Sequence, residues 1–310
     1  MGITLADVAK LIVYVWWPSN STTDTVANSL KRLPEPVRII AELLCLAALN
    51  TEPDKASAKV FKQVLKSAFF SVWGGSDTLI PKVDLSACYP EQLKLNGQVR
   101  LGEAVVNITH TEHYEINTRK DQYHFRQLIL AVAPQHLPRL LKQISANENT
   151  LASAVETLHY EPISTVTARV RDIPPPFSGL RFFATTSPIF QWLFIQPQSV
   201  KCVVSGGAAH ANQSVDTLKH AAAAFLTDLG FEVCAIDAVT EKRASYSCTP
   251  AQVQILEKLQ ATLLPPNAPP ATLHVCGDYT YPYFPATLEA AVRSGKRAAL
   301  AALSSLQSRL

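Results

Sequence analysis

Leu273-His-Val-Cys-Gly-Asp-Tyr-Thr-Tyr-Pro-Tyr-Phe-Pro-Ala-Thr-Leu-Glu-Ala-Ala-Val-Arg-Ser-Gly295 is the stretch on which the fold turns. It begins as a short apolar strand, Leu273 to Cys276, and breaks at a Gly277-Asp278 turn. An aromatic loop follows, and then a helix whose start is expected near Pro285, since proline suits the first helical turn. The N–H groups opening such a helix have no partner within it, and the helix dipole stands behind them. That end suits an anion or an electron-rich carbonyl. Asp278, at the strand end, is placed to accept hydrogen bonds from hydroxyl groups. On local physics alone, a strand–loop–helix that only packs is an equal reading.

Outward from this segment the chain alternates in character. Leu5 to Tyr14, Val37 to Leu49 and Ala56 to Phe70 carry apolar residues at three- and four-residue spacing and are expected to be helices. Pro18, Pro34, Pro36 and Pro53 punctuate them. Asp84 is expected to cap a short helix ending near Leu95. After Gly97 the period shortens, with strands expected at Val99 to Leu101, Ala104 to Ile108 and Tyr114 to Thr118. Leu128 to Ala133 is an apolar run stopped by Pro134, hence a buried strand, and a helix follows from His136 to Ile144. Strands are expected at Ile163 to Val170, Leu180 to Phe183, Phe190 to Ile195, Cys202 to Val204 and Glu232 to Val239. Helices are expected at Val215 to Leu229 and Ala251 to Leu263. A Pro-rich linker (Pro265, Pro266, Pro269, Pro270) leads into the C-terminal segment.

Composition excludes several classes. The 310 residues are 47% hydrophobic and 17% charged, values of a globular chain with a sizeable core. A net charge of +3 with no dense Lys/Arg run argues against nucleic acid. Leu11 to Trp17, the longest apolar stretch near the start, is far short of the roughly 20 residues of a membrane span, and no signal-peptide cleavage site follows it. Six scattered cysteines without a Cys-x-x-Cys pair suggest reduced thiols and a cytoplasmic protein, with peripheral membrane contact left open. After Gly2 the next glycine is Gly74, and no Gly-x-Gly-x-x-Gly occurs anywhere.

Three features are weaker. His110-Thr-Glu-His113 resembles a metal pair, but on a strand the two rings face opposite sides, and no metal site is expected. Ser205-Gly206-Gly207 reads as a tight turn rather than a phosphate loop. Phe182, Phe183, Phe190, Trp192 and Phe194 are core packing in the first instance. Alternation would still let Phe190, Trp192 and Phe194 form one wall of a hydrocarbon channel.

Gly277-Asp278 followed by Pro285-Ala-Thr-Leu-Glu-Ala-Ala-Val-Arg-Ser-Gly295 resembles the C-terminal FAD signature of the amine oxidase and phytoene desaturase superfamily. Leu44-Cys-Leu-Ala-Ala-Leu-Asn-Thr51, Ala56 to Phe61, Leu79-Ile-Pro-Lys-Val-Asp-Leu-Ser86, Gln191 to Phe194 and Glu241-Lys-Arg-Ala244 are similar, in the same order, to its hydroxysqualene-dehydroxylating branch, associated with squalene and hopanoid pathways. The resemblance implies an α/β chain of mixed α+β character. An FAD/NAD(P)-binding-like domain remnant (residues 74–144 plus 271–310) would carry an inserted substrate domain of mixed sheet and helices (1–73 plus 145–270).

It further implies Val105 in backbone contact with adenine and Ala133 in the strand under the cofactor. Gly277 and Asp278 would lie at the ribityl–pyrophosphate region, with Thr287 and the Leu288 amide at the flavin C2 carbonyl. Amine oxidases commonly have an aromatic residue where Thr287 stands, so amine oxidation is disfavoured. The implied activity is reductive removal of the hydroxyl of an isoprenoid lipid, hydroxysqualene, to give squalene. Phe190, Trp192, Phe194, Tyr281 and Tyr283 are candidate substrate contacts. No residue is assigned as the catalytic acid, and Tyr279, Tyr281 and Tyr283 qualify by position alone.

Full-length relatives open with a strand, a GxGxxG turn and a helix, which would place this sequence about a hundred residues downstream. The expectation is a chain that binds FAD weakly unless a separate chain supplies that unit. Another flavin desaturase or amine oxidase, or an inactive or split-enzyme fragment, stands as the alternative.

Overall fold

The computed structural model describes residues 4–17, 22–70, 77, 79–83, 85–88, 91, 98–144, 149–206, 213–263, 272–281, 283–284 and 286–307. Asp84, the Pro265–Pro270 linker and Pro285 lie outside them.

The N-terminal quarter is helical: α1 (Leu5–Trp16), α2 (Val26–Leu30), α3 (Glu35–Leu49) and α4 (Ala58–Phe69), with a single turn, α5 (Leu85–Cys88), further on. Thr4 starts α1 with a capping box, its hydroxyl accepting from the Asp7 amide while the Asp7 carboxylate accepts from the Thr4 amide. α3 begins with proline in its first turn and ends on Asn50 in the left-handed conformation, a normal asparagine role. The four helices close a core around Leu30, Val37, Cys45 and Phe61, into which Cys248 and Val253 also reach.

Next come a three-stranded antiparallel sheet, β1 (Val105–His110), β2 (Tyr114–Thr118) and β3 (Gln122–Phe125), and a separate short strand, β4 (Leu128–Leu130). β3 is absent from the sequence reading because Gln-Tyr-His-Phe is only four residues long, too short for its polar–aromatic alternation to stand out; ladder bonds to β2 make it a strand. Val99 to Leu101, expected extended, lies instead in coil and turn. A one-turn 3-10 helix from Pro134 leads into α6 (Leu137–Ile144), and α7 (Asn149–Glu156) follows.

The middle of the chain is a five-stranded antiparallel sheet in the order β6-β7-β8-β5-β9. Its strands are β5 (Tyr160–Val170), β6 (Phe182–Ala184), β7 (Trp192–Gln196), β8 (Ser199–Ser205) and β9 (Val233–Tyr246). α8 (Val215–Asp228) covers one face, burying Leu218, Ala222 and Leu226 against Val166, Cys202 and Val204. Each fully buried leucine contributes about 1.5–3 kcal/mol. α9 (Pro250–Leu263), β10 (Leu273–Val275) and α10 (Leu288–Gln307) complete the chain.

β10 pairs in parallel with β4, joining residues 145 positions apart (Leu273 with Leu128). A third core forms around this pair, taking Ile108 and Tyr114 from the three-stranded sheet, Leu137 and Leu141 from α6, Leu151 from α7, Leu256 from α9, and Tyr246 and Tyr279. Side chains from both proposed parts of the chain meet there.

Two clamps fix the helical quarter to the large sheet. Asn50 is buried; its amide donates to Ser245 Oγ (2.9 Å) and its carbonyl accepts from the Gly206 amide (2.6 Å). Thr51 Oγ1 accepts from the Cys248 amide at 2.8 Å. Gly206 is required here, because a Cβ would sit 2.2 Å from the Pro162 carbonyl oxygen. The Leu-Asn-Thr motif is therefore a structural joint, and Ser205-Gly206 a close approach. Gly207 lies outside the described residues.

Candidate functional site

The site is built where β10 ends. Gly277 has φ +156°, and a Cβ there would lie 2.4 Å from the Tyr279 ring, so the turn needs glycine at this point. Its amide donates to Ser294 Oγ on α10 at 2.9 Å, tying the turn to the helix. Asp278 to Thr280 form one turn of 3-10 helix. Arg297, also on α10, donates to the Thr280 carbonyl at 3.0 Å. The Tyr279 hydroxyl donates to the Val132 carbonyl at 3.2 Å, which brings the exit of β4, including Ala133, alongside.

The helix begins at Leu288, three residues past Pro285. Thr287 is its N-cap: Thr287 Oγ1 accepts from the Ala290 amide (3.2 Å) and donates to the Phe284 carbonyl (2.8 Å). The Leu288 amide has no hydrogen-bond partner among the described residues, and its side chain is 61% exposed. Ala286, just before, has φ +51°, a left-handed conformation that costs an alanine about 1–2 kcal/mol. Its amide donates to the Tyr246 hydroxyl at 3.1 Å, and that hydroxyl donates to the Asp278 carbonyl at 3.4 Å. Tyr246, at the end of β9, thus holds the turn and the helix approach together.

Burial sets the electrostatics. It raises the Asp278 carboxyl above its ordinary pKa, opposed by hydrogen bonds from the Tyr279 amide and its own. Burial also pushes the Tyr246 and Tyr279 phenols up, keeping both neutral, and lowers Arg297. The Arg293 guanidinium lies over the Tyr281 and Phe284 rings and donates to Glu289, ordering the aromatic loop.

The structure therefore gathers Ala133, Gly277, Asp278, Tyr281, Thr287 and Leu288 around one turn and one helix start. Tyr283 touches Tyr281 edge-on (centroids 5.8 Å apart) and is exposed. Tyr279 is 1% exposed with its hydroxyl committed to Val132, which removes it as a candidate acid.

Val105 lies in β1 of the three-stranded sheet, paired with Thr118 at the end away from Tyr114. It lines a cavity of about 650 Å³ with Arg100, Tyr123 and Phe125. That sheet joins the C-terminal segment through Tyr114 Oη and Thr272 Oγ1, 2.9 Å apart, at the entry of β10. From Thr272 to Gly277 an extended chain covers about 16 Å, and the length of β1 separates Val105 from the Tyr114 end of its own sheet.

The aromatic wall is only partly as expected. Trp192 and Phe194 share the uncovered sheet face, with the Phe182 ring 6.3 and 6.0 Å away. Phe190 precedes the strand, is 1% exposed, and stacks on Phe225 in the α8 core. His110 stacks on Tyr114 at 4.1 Å. Sequence reasoning missed Tyr246, Ser294 and Arg297, which act only through pairings far along the chain. A tyrosine at the end of a long strand carries no signal of that role.

The residues present suit a flavin: a glycine turn backed by a buried ring, a helix-tip amide without a partner among the described residues, and a half-buried carboxylate at the turn. The flavin-containing amine oxidoreductase family model matches residues 84–303. Hydroxysqualene dehydroxylases of Rhodopseudomonas palustris and Sinorhizobium fredii are 26% and 25% identical. The matches span 96% and 97% of this chain and 69% and 70% of the relatives. Among solved structures, cyclohexylamine oxidase from Brevibacterium oxydans has TM-score 0.70 at 14% identity, covering 99% of this chain and 76% of its own. A redesigned putrescine oxidase gives 0.69 at 14% identity, covering 98% and 77%; both likenesses show the fold. The mixed α/β architecture and the match over most of its length place this chain in the flavin-containing amine oxidoreductase family, whose cofactor is a flavin.

Proposed function

We propose that this chain orients the flavin end of FAD at the Gly277–Leu288 turn, and that its reaction is reductive dehydroxylation of hydroxysqualene to squalene. The observation that carries the reading is the α10 tip, where the Leu288 amide has no partner among the described residues and the helix start is tied through Tyr246 to Asp278 at the glycine turn. The two relatives named for that reaction support the substrate class. Bound in its reduced form, the cofactor supplies the hydride that replaces the departing hydroxyl on carbon.

The chain's own groups divide the remaining work. The Leu288 amide would hold the flavin ring at its carbonyl edge, and Asp278 would accept from the hydroxyls of its side chain. Phe182, Trp192 and Phe194 offer an apolar wall that excludes water from the hydrocarbon. Departure of hydroxide as water requires a proton, which Tyr281 or Tyr283, in the loop before the helix, would give. Val105, with its cavity at the other end, is the adenine contact.

A stripe of α10 (Leu288, Val292, Leu303) and Ile129 of β4 are exposed and apolar. They support pairing with another polypeptide that carries a Gly-rich phosphate turn.

Titrating the purified chain with FAD tests the cofactor reading. A shift of the flavin absorption bands is expected, and Leu288→Pro should weaken binding about tenfold, the worth of one net hydrogen bond to a charged or polarised group. Proline is tolerated at the first helical position, so that variant deletes an N–H without breaking the helix. An unchanged flavin spectrum at saturating FAD, with and without a GxGxxG partner, would sink the reading. Parallel assays with hydroxysqualene and with primary amines separate the substrate classes.

A further inference from the structure

α1 is apolar almost all round, and the described residues cover only half of it. Tyr14 and Val15 are buried against the helical core, while Leu5, Val8, Ile12, Val13 and Trp16 are 40–90% exposed. At 100° per residue Leu5, Val8, Ile12, Val13 and Trp16 fall on one side of the helix, opposite Tyr14. Trp17 (67% exposed) ends the stripe, and Phe70 of the neighbouring α4 meets Trp16 edge-on at 6.2 Å. A helix of this composition requires a cover.

The rim says which cover. Lys66 Nζ lies 5.1 Å over the Trp16 ring, and Lys62 Nζ lies 4.6 Å over Tyr14 and donates to the Trp17 carbonyl at 3.1 Å. Lys10 adds a third cation on α1 itself. Asp7 is spent in the capping box, and Asp24 is the acid near Lys62. Protein interfaces are depleted in lysine, whereas tryptophan above lysine at the end of an apolar stripe suits the headgroup boundary of a bilayer. We propose that α1 lies in the surface of an anionic lipid bilayer, with Leu5, Ile12, Val13 and Trp16 inserted and Lys10, Lys62 and Lys66 among the headgroups. No helix among the described residues is long and apolar enough to cross a membrane, so this contact is peripheral. It stands independently of the isoprenoid reading, which it would serve by holding the chain where such a substrate dissolves.

Flotation of the full chain with lipid vesicles tests it without flavin or substrate. The chain should float with phosphatidylcholine vesicles containing phosphatidylglycerol, with tryptophan emission shifting to the blue. The triple variant L5S/I12Q/W16Q should lose at least about tenfold in partitioning. Lys62→Gln and Lys66→Gln, which leave the apolar stripe intact, should each lose about fivefold on anionic vesicles and little on pure phosphatidylcholine. Equal flotation of wild type and triple variant, both folded by circular dichroism, overturns the proposal. So does a wild-type dimer in size exclusion that the triple variant disperses, since the stripe would then cover a second copy. Failure here leaves the flavin titration untouched, and the converse holds.

Discussion

The turn at Gly277 and the sheet face that carries Phe182, Trp192 and Phe194 are the two proposed ligand surfaces, yet they are built on opposite principles. Around the turn, Ser294, Arg297, Tyr246 and Thr287 pin the backbone through directional hydrogen bonds from two other elements. On the sheet face Phe182, Trp192 and Phe194 meet one another through ring contacts about 6 Å between centroids. The first arrangement holds the backbone in one geometry; the second would tolerate a flexible chain lying across it. Damage to the first should therefore be severe and specific, and damage to the second mild and confined to substrate.

Gly277→Ala should give the largest effect. The new methyl would overlap the Tyr279 ring, which is 1% exposed and cannot swing away without breaking its bond to Val132. Overpacking of this kind costs about 1–3 kcal/mol, and displacement of the turn adds the loss of the Ser294 bond. Chemical denaturation should show destabilisation of about 3 kcal/mol, and flavin binding should be abolished. A variant as stable as wild type would mean that the turn is softer than its packing implies.

Tyr246→Phe should come next. It keeps the buried ring but removes the oxygen that accepts from Ala286 and donates to the Asp278 carbonyl. A partly buried amide left without its acceptor costs about 1–3 kcal/mol. Ala286 would also be freed from its left-handed conformation, so the helix tip should drift. The expected result is a loss of about 2 kcal/mol together with weaker flavin binding. Loss of stability with unchanged flavin affinity would separate the tyrosine's packing role from its positioning role.

Asp278 sharpens the comparison through pH. Burial holds its folded-state pKa above the ordinary 3.8, so the folded chain binds a proton more tightly than the unfolded chain does. The stability tied to this group is fully present below the unfolded value and is lost as pH rises through the folded one. At neutral pH its charge is therefore a standing cost. Asp278→Asn should flatten this part of the pH–stability curve and leave the chain slightly more stable at pH 7, while weakening flavin binding. Lower stability at pH 7 would show that the carboxylate is needed for the fold itself.

The two regions also differed in how far the sequence discloses them. The strand, turn and helix of 273–307 are legible because glycine, aspartate and an apolar period follow one another within a single segment. Thr287 and Leu288 came from the family resemblance, since the local pattern alone set the helix start near Pro285, three residues early. Tyr246, Ser294 and Arg297 could not be assigned, because their partners lie 17 to 40 residues away and are set by how β9 and α10 pack. On the sheet, alternation correctly paired Trp192 with Phe194 on one face. It failed at Phe190, which lies before the ladder begins and follows the turn at Ser187 into the core. The Asn50-Thr51 joint was visible as a motif, but its structural purpose appears only when Gly206 and Cys248 close on it.

Trp192→Phe should show the smallest effect on the fold, and for that reason is informative. Trp192 Nε1 is buried and has no hydrogen-bond partner among the described residues. Replacing indole by phenyl removes an unsatisfied donor while keeping an aromatic face toward Phe182. Stability should change by no more than about 0.5 kcal/mol, or rise slightly. If the uncovered sheet face holds hydrocarbon, the smaller ring should raise KM for the isoprenoid several-fold with kcat little changed, since it contributes contact rather than chemistry. Equal KM values would detach the aromatic trio from the substrate. A fall in kcat would instead show that the indole helps to set the position of the reacting end as well as to hold the chain.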